Sequence, residues 1–177
     1  SAGANGCSLR IAQGTLGTAD DPIRIGTVAD LTALATSGAC YASSYAFRQT
    51  ADIDLAGAHW VPVGLGGPTG FNGTYDGDGH AVADFVITDA DSGSYKGLFG
   101  RVNGGTIRNL TVRGATITGS LAYYGAAVGD VDDGLVEDVR VENASVASSG
   151  AGQYAIGGAI GGADASTIRR VTVAPDT

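Results

Sequence analysis

The densest group of chemically capable side chains in the sequence is the segment Asp76-Gly77-Asp78-Gly79-His80. Its two carboxylates and one imidazole could bind a metal ion or transfer protons. The alternative is structural: Gly77 and Gly79 would form consecutive turns, the aspartates would accept hydrogen bonds from nearby amides, and His80 would begin a strand. The structural interpretation is favoured, and no residue is assigned a catalytic role.

A second acidic group consists of Asp130, Asp132 and Asp133 in the segment GDVDDG, where carboxylates alternate as Ca²⁺ ligands often do. An EF-hand loop counted from Asp130 would need glycine at its sixth position, where Leu135 stands. The segment is therefore not an EF-hand. A looser surface Ca²⁺ site at these three aspartates is the candidate cofactor site, and a solvated turn is the alternative.

Carboxylates could also support cleavage of a polysaccharide, which is the main enzymatic alternative. Glycosidases need two positioned carboxylates. The only glutamates are Glu137 and Glu142, and a sequence cannot give the separation of the many Asp pairs. The only lysine is Lys96, so an arginine would have to act as the base of a lyase. A polysaccharide lyase or hydrolase therefore stays open, although the sequence favours a protein without catalysis.

The overall charge narrows the classes of partner. The chain has 177 residues, a formal net charge of −8 and ten scattered basic side chains. This charge disfavours non-specific binding to nucleic acid or to anionic membranes. No stretch of about 20 apolar residues is present, so the sequence predicts no direct membrane insertion.

The two cysteines, Cys7 and Cys40, both lie near the N-terminus. They would form one disulfide in an exported protein and remain free thiols in the cytosol. Their spacing is not C-x-x-C, and no paired histidines flank them as they would at a zinc site. The disulfide is the favoured interpretation.

The elements that must position these side chains come from a repeat. The segment Lys96–Val112 recurs as Ala126–Val141 and again as Gly158–Val173, with the matching glycines Gly100, Gly129 and Gly161 spaced by 29 and 32 residues. Such a period indicates stacked units that bury their apolar faces against one another. The 30 glycines, well above the usual ~7%, indicate many tight turns.

The second half of each unit reads IRNLTV, VEDVRV or IRRVTV, and an earlier VADFVI fits the same pattern. Stacking predicts three ladders: Val82/Ile107/Val136/Ile168, Phe85/Leu110/Val139/Val171 and Ile87/Val112/Val141/Val173. The apolar spacing changes from three to two, which predicts a bend at Asp84, Asn109, Asp138 and Arg170. Asn and Asp suit a left-handed bend, whereas Arg does not. A third short strand, Ala115–Ile117, matches Ala144–Val146.

Three strands per unit, with no convincing hairpin turns, predict an all-β protein built as a parallel β-helix. Residues 1–43 are expected to be a lead-in and cap, with a strand at Cys7–Ala12 and one short helix near 27–36. Thr27 and Asp30 would cap that helix, and its apolar face would cover the end of the stack. Residues 44–177 would form the rungs, most clearly at 97–120, 126–149 and 158–173. The final repeat lacks a polar cap, so the sequence is expected to be part of a larger polypeptide.

Tyrosines occur in the two longer loops between repeats, at 120–125 and 148–157. Loops on one flank of a solenoid often form its binding face. Tyr123, Tyr124 and Tyr154 could therefore stack on a sugar or contact a protein partner. Half-buried loop tyrosines without a ligand are the alternative.

Several segments in order, ADIDLAG at Ala51–Gly57, WVPVG at Trp60–Gly64, FNGTYDGDGH at Phe71–His80 and GLFG at Gly97–Gly100, resemble the GLUG-repeat family. The resemblance covers roughly residues 22–173, although AAVG and GAIG replace GLFG in later copies. It implies a right-handed parallel β-helix from a secreted or cell-surface bacterial protein, such as an adhesin. It also implies a passive scaffold or adhesive stalk contacting a host or cell-surface glycan or protein, and transfers no catalytic residue. The family carries a similar D-G-N-G-H segment without assigned catalysis.

Ice binding is a minor alternative, because some β-helices present flat threonine arrays. Thr111, Thr116, Thr118 and Thr172 could contribute to such an array. The middle unit has Arg140, Ser145 and Ala147 at the matching positions, which would make the face irregular.

Overall fold

A computed structural model describes residues 6–65, 70–151 and 155–175. Its strands form parallel sheets wound into a β-solenoid of about four turns. The predicted right-handed parallel β-helix is thereby confirmed, and each strand pairing within the described residues is parallel. None of the described helices has the length and apolar character needed to cross a membrane.

The elements follow one another along the chain as short strands after a helical start. They are α1 (Ser8–Gln13), β1 (Ile23–Ile25), α2 (Val28–Thr36), α3 (Gly38–Tyr41), β2 (Ala46–Gln49), β3 (Ile53–His59), β4 (Thr74–Asp76), β5 (Ala81–Ile87), β6 (Tyr95–Lys96), β7 (Phe99–Asn103), β8 (Thr106–Gly119), β9 (Tyr123–Tyr124), β10 (Val128–Asp132), β11 (Leu135–Glu142), β12 (Ser145–Ser148), β13 (Ile160–Asp164) and β14 (Thr167–Ala174).

Three sheets run along the solenoid. The largest has the strand path β1-β2-β4-β8-β11-β14, with β3 joined through β5 to β8 and with β12 also paired to β8. The second has the order β13-β10-β7, and the third pairs β6 with β9. Residues at equivalent positions of successive turns therefore stand beside one another, about 4.8 Å apart.

The inward side chains of the largest sheet form a continuous apolar ladder. It contains Ile23, Phe47, Tyr75, Ile107, Val136 and Ile168 in paired register. The predicted register of the three later copies is confirmed at Ile107/Val136/Ile168, Leu110/Val139/Val171 and Val112/Val141/Val173. The match of Ala115–Ile117 with Ala144–Val146 is also confirmed, since Ser145 lies opposite Thr116 and Val146 opposite Ile117.

The predicted bend positions all have left-handed backbone. The φ angles are 60° at Asp84, 53° at Asn109, 53° at Asp138 and 50° at Arg170. Arg170 adopts this conformation although its long side chain lacks the local hydrogen bonding by which Asn and Asp favour left-handed backbone. Its side chain instead reaches Asp138 of the preceding turn, with Nη2 2.9 Å from Oδ2.

The predicted register of the earliest copy was wrong. Val82 lies opposite Val112 and not Ile107, and Ile87 lies opposite Ile117 and not Val112. Likewise Phe85 lies opposite Ala115 instead of Leu110, and Tyr75 occupies the place beside Ile107. The physical reason is that β8 contains two left-handed positions, Asn109 and Gly114, and Asp84 packs against the second of them.

The segment Cys7–Ala12 was predicted to be a strand, which was also wrong. Residues Ser8–Gln13 form α1, which ends at Gly14 with a φ of 68°, and the Gly14 amide donates to Arg10 and Ile11 carbonyls. This left-handed helix stop is natural for glycine. A second helix not predicted from the sequence, α3, follows α2 directly.

The predicted helix is confirmed as α2, with Thr27 accepting a hydrogen bond from the Asp30 amide at 3.1 Å. The predicted disulfide is also confirmed, and it joins Cys7 before α1 to Cys40 in α3. The three helices pack on one another, and α1 and α2 pack on β1. They cover the first strand of the stack, so that Ile23 and Ile25 are fully buried.

Candidate binding groove

A groove of about 540 Å³ runs across the outer surface of the second and third sheets. We call it the Tyr95–Tyr123 groove. Its lining comes from three successive turns and consists of Tyr95, Arg101, Tyr123, Asp130, Asp132, Ala155, Gly162, Ala163 and Asp164.

Strand alternation explains why polar side chains line this groove. In β7, β10 and β13 the residues Val102, Val131 and Ala163 stand in register, and both valines are fully buried. Their neighbours on either side face outward, because successive side chains of a strand point to opposite faces. The parallel register therefore places two outer rows beside each other, Arg101/Asp130/Gly162 and Asn103/Asp132/Asp164.

The aromatic wall of the groove is formed by β6 and β9. Tyr95 pairs with Tyr123, and their rings stack with centroids 5.6 Å apart and planes inclined by 16°. The Arg101 guanidinium lies 5.9 Å from the centroid of the Tyr95 ring. Tyr123 remains 37% exposed, so the outer part of this stack is open to solvent.

A single guanidinium holds two of the carboxylates. Arg101 Nη2 lies 3.0 Å from Asp132 Oδ2, and its Nε lies 3.8 Å from Asp130 Oδ2. Partial burial raises the pKa of Asp130; Arg101 opposes the rise, while the neighbouring Asp132 and Asp164 charges add to it. Asp130 thus accepts a proton more easily than an ordinary aspartate.

The structure does not assemble the predicted Ca²⁺ ligands Asp130, Asp132 and Asp133. Asp133 lies in the exposed turn after β10 with a φ of 49°, while Arg101 supplies the positive charge between the other two. Over the described ranges, no three His, Cys, Asp or Glu side chains could together hold a metal ion.

The candidate tyrosines that the structure describes lie in different environments. Tyr123 lines the groove, and its binding role stays a prediction. Tyr124 is fully buried, and its hydroxyl accepts a hydrogen bond from the Leu121 amide at 2.6 Å. Tyr124 is therefore a core residue and does not form part of a binding surface. Tyr154 lies outside the described residues.

The only lysine of the sequence, Lys96, lies in β6 of the third sheet, and its side chain is buried. Lys96 is fully buried, its Nζ lies 2.8 Å from Asp89 Oδ1 and 4.6 Å from the centroid of the Tyr124 ring, and it donates to the Gly93 carbonyl. Asp89 also accepts hydrogen bonds from the amide and hydroxyl of Ser120. This cluster joins the loops before β6 and after β8.

Sequence reasoning assigned no role to Arg101, Asp164 or Lys96 in this region. The glycine steps could have found the first two, because they align Arg101, Asp130 and Gly162 in one row and Asn103, Asp132 and Asp164 in another. The isolation of Lys96 in a chain otherwise using arginine was the available signal for its special environment.

The segment from Asp76 to His80 ends β4 and forms a turn at Asp78 and Gly79 before β5, in agreement with the structural interpretation. Asp76 Oδ1 accepts a hydrogen bond from the Asp78 amide at 2.8 Å, and Asp76 Oδ2 lies 3.4 Å from Arg108 Nε. His80 Nδ1 lies 3.2 Å from Asp52 Oδ1, and the Ala81 amide bond to Asp52 is the largest cause that lowers the pKa of that carboxyl.

Both glutamates pair with arginines on the outer face of the largest sheet. Glu142 lies 2.9 Å from Arg113 Nε and 2.6 Å from Arg140 Nε. Glu137 lies 2.6 Å from Arg169 Nε of the following turn. Their carboxylates are therefore engaged in pairs that link neighbouring strands.

Two curated proteins are similar to parts of the chain. A Gly-rich membrane protein of Evansella cellulosilytica is 33% identical over 135 residues, which is 71% of this chain and 15% of that protein. Halomucin of Haloquadratum walsbyi is 37% identical over 109 residues, which is 59% of this chain and 1% of halomucin. The chain thus spans only a small part of either relative. No family model matches it, and no solved structure matches significantly.

Proposed function

We propose that this chain is a non-enzymatic structural segment of an exported surface protein, in which the β-helix acts as a stiff spacer. The observation that carries the proposal is the continuous parallel ladder from β1 to β14. Each turn is hydrogen-bonded to the next, and the inward side chains form one apolar core. A solenoid of this kind transmits position along its axis without needing a separate hinge or domain.

The relatives support a surface location. One is named as a Gly-rich membrane protein and the other as halomucin, and both are far longer than the matched segment. The disulfide between Cys7 and Cys40 fits an oxidising compartment outside the cytosol. The resemblance to GLUG-repeat segments of bacterial adhesins points to the same place.

The pairing of outer charges favours a structural role over catalysis. Arg113, Arg140 and Arg169 hold the two glutamates, and Arg170 holds Asp138. An exposed ion pair contributes little to stability by itself, but the pairs made by Arg113, Arg169 and Arg170 together link successive turns along one flank. A glycosidase would instead need two carboxylates free to act on a bond between them.

The spacer role can be tested by placing the chain between two fluorescent proteins and measuring energy transfer. A stiff β-helix should give one narrow distance that does not change with salt. The matched control is the same fusion carrying Leu110→Asp. Its β-helix should unfold, which should give a broad distribution of distances. A broad distribution in the unaltered chain would overturn the proposal.

The competing function is a polysaccharide lyase or hydrolase on the same fold. Incubation with a polysaccharide panel should give no cleavage products. Turnover that disappears when one aspartate is replaced would establish the enzyme instead.

A further inference from the structure

We infer that the Tyr95–Tyr123 groove is a binding site for an uncharged sugar unit of a glycan. The inference deepens the proposed function, since a surface segment with such a site would be adhesive. The binding itself does not depend on the spacer role.

The first argument is the fixed aromatic face. Tyr123 lies in β9, its amide donates to the Ser94 carbonyl at 2.8 Å, and its ring stacks on Tyr95. The next residue, Tyr124, is anchored in the core. The exposed tyrosine is therefore held in place before any ligand arrives, which reduces the entropy lost on binding. Aromatic side chains with one open side combine an apolar surface with a polar tip.

The second argument is the glycine on which that ring packs. At Gly162 an added Cβ would lie 2.8 Å from Tyr123 Cδ1 and 2.8 Å from Asp130 Oδ1. The row Arg101/Asp130/Gly162 thus has no side chain at Gly162, where the Tyr123 ring meets β13. Backbone and ring come together there, and a side chain at this position would clash with the ring and the carboxylate, so the glycine lets the Tyr123 ring pack on β13.

The third argument is the arrangement of hydrogen-bonding groups along the floor. Asp130, Asp132 and Asp164 offer carboxylate acceptors, and Arg101 offers guanidinium donors, all within one groove. The ion pairs with Arg101 restrain Asp130 and Asp132. An apolar face next to a few fixed polar groups is the usual composition of a small-ligand site, and the volume falls within the usual range of about 300–1,000 Å³.

Charge identifies the class of ligand. Three carboxylates against one guanidinium leave the groove acidic, which repels uronates, sulfated sugars and phosphates. Arg101 already contacts Asp130 and Asp132, so a cationic peptide would have to displace its guanidinium to reach those two carboxylates. Sugar hydroxyls suit these groups, because a hydroxyl donates to carboxylates and accepts from a guanidinium. The C–H face of a pyranose would lie on the exposed part of the Tyr123 ring.

The test is a titration of the full chain with neutral gluco-, galacto- and manno-oligosaccharides, followed by amide chemical shifts. An oligogalacturonate of equal length is the charged comparison. We expect at least one neutral series to bind, with shifts confined to β7, β9, β10 and β13, and the acidic oligomer to bind at least tenfold more weakly.

Two variants locate the site. Tyr123→Leu should weaken binding at least tenfold, whereas Tyr123→Phe should retain it within about threefold, since its ring is kept. Leu121→Ala changes a residue of the same loop that is 49% exposed, and it should bind like the unaltered chain. Equal melting temperatures would show that all variants are folded.

The inference is overturned if no neutral oligosaccharide binds at millimolar concentration, or if Tyr123→Leu binds as well as the unaltered chain. It is also overturned if oligolysine binds in a salt-sensitive manner that does not depend on Tyr123, which would identify a cation surface. Because the energy-transfer measurement does not involve Tyr123, the spacer proposal can survive any of these results.

Discussion

The same apolar ladder is buried to different extents at the two ends of the described solenoid. At the first turn, helices α1 to α3 cover β1, and Ile23 and Ile25 are fully buried. At the last described turn, β14 repeats the same pattern, but Ile168 is 39% exposed and Val173 is 56% exposed. Both strands are at an edge of the largest sheet.

The difference teaches that burial in this fold comes from neighbours on both sides. IRNLTV in β8 and IRRVTV in β14 share their apolar positions, yet only the first lies between two turns. The helical cap supplies the missing neighbour at the N-terminal end. Stability should therefore be high in the middle, maintained at the cap and low in β14.

The largest expected effect is that of a charge in the middle of the stack. Leu110 is 2% exposed, so Leu110→Asp should cost more than about 4 kcal/mol and unfold the chain, because the carboxylate would have no partner. Val171→Asp makes the matched change in β14, where the position is half-buried, and should leave the rest folded. Circular dichroism during urea unfolding measures both. Equal losses would mean that the ends and the middle do not differ.

The next largest effect concerns the cap. Cys7 and Cys40 are 33 residues apart, and a loop of that length predicts a loss of about 3–4 kcal/mol when both are replaced by serine. The loss should appear equally when a reducing agent is added to the unaltered chain. Unfolding curves that are identical with and without reductant would show that the helices seal the end without the crosslink.

Two valines of one ladder give a finer comparison. Val112 is fully buried and Val112→Ala should cost about 2 kcal/mol, whereas Val173→Ala should change stability by less than about 0.5 kcal/mol. The same deletion is made at the same position of the repeat, so only the neighbours differ. A comparable cost for both would mean that Val173 is covered in solution.

The smallest expected effect is one of pH. The hydrogen bond from Lys96, followed by that from Ser120, lowers the pKa of Asp89 below its ordinary value of 3.8. A carboxyl with a lowered folded pKa stabilises the folded state above its unfolded pKa, and this stability is lost as the pH falls through the folded value. Melting temperatures at pH 7 and pH 3 should therefore differ less in Asp89→Asn than in the unaltered chain. The same drop in both would show that Asp89 does not contribute.

Much of the fold could be predicted because the repeat carries it. The glycine steps fixed the register of Ile107, Val136 and Ile168, and the change of apolar spacing located the left-handed bends. The Thr27 cap and the cysteine pair are local signals that do not depend on the remainder of the chain.

The errors arose where one pattern fits two places. VADFVI matches either half of β8, and only the second left-handed position at Gly114 distinguishes them. Tyr123 and Tyr124 are adjacent in a two-residue strand, which is too short for alternation to show which one faces inward. The partners of Arg101 come from the following turn, and a sequence reveals them only when the register is already known.

The sealed first turn also has a consequence for biogenesis. Because synthesis runs from the N-terminus, the cap and β2 can fold before the later turns exist. Each later turn can then pair its strands with those of a turn that is already folded. Folding can thus proceed turn by turn in one direction, starting from a cap that the Cys7–Cys40 disulfide closes.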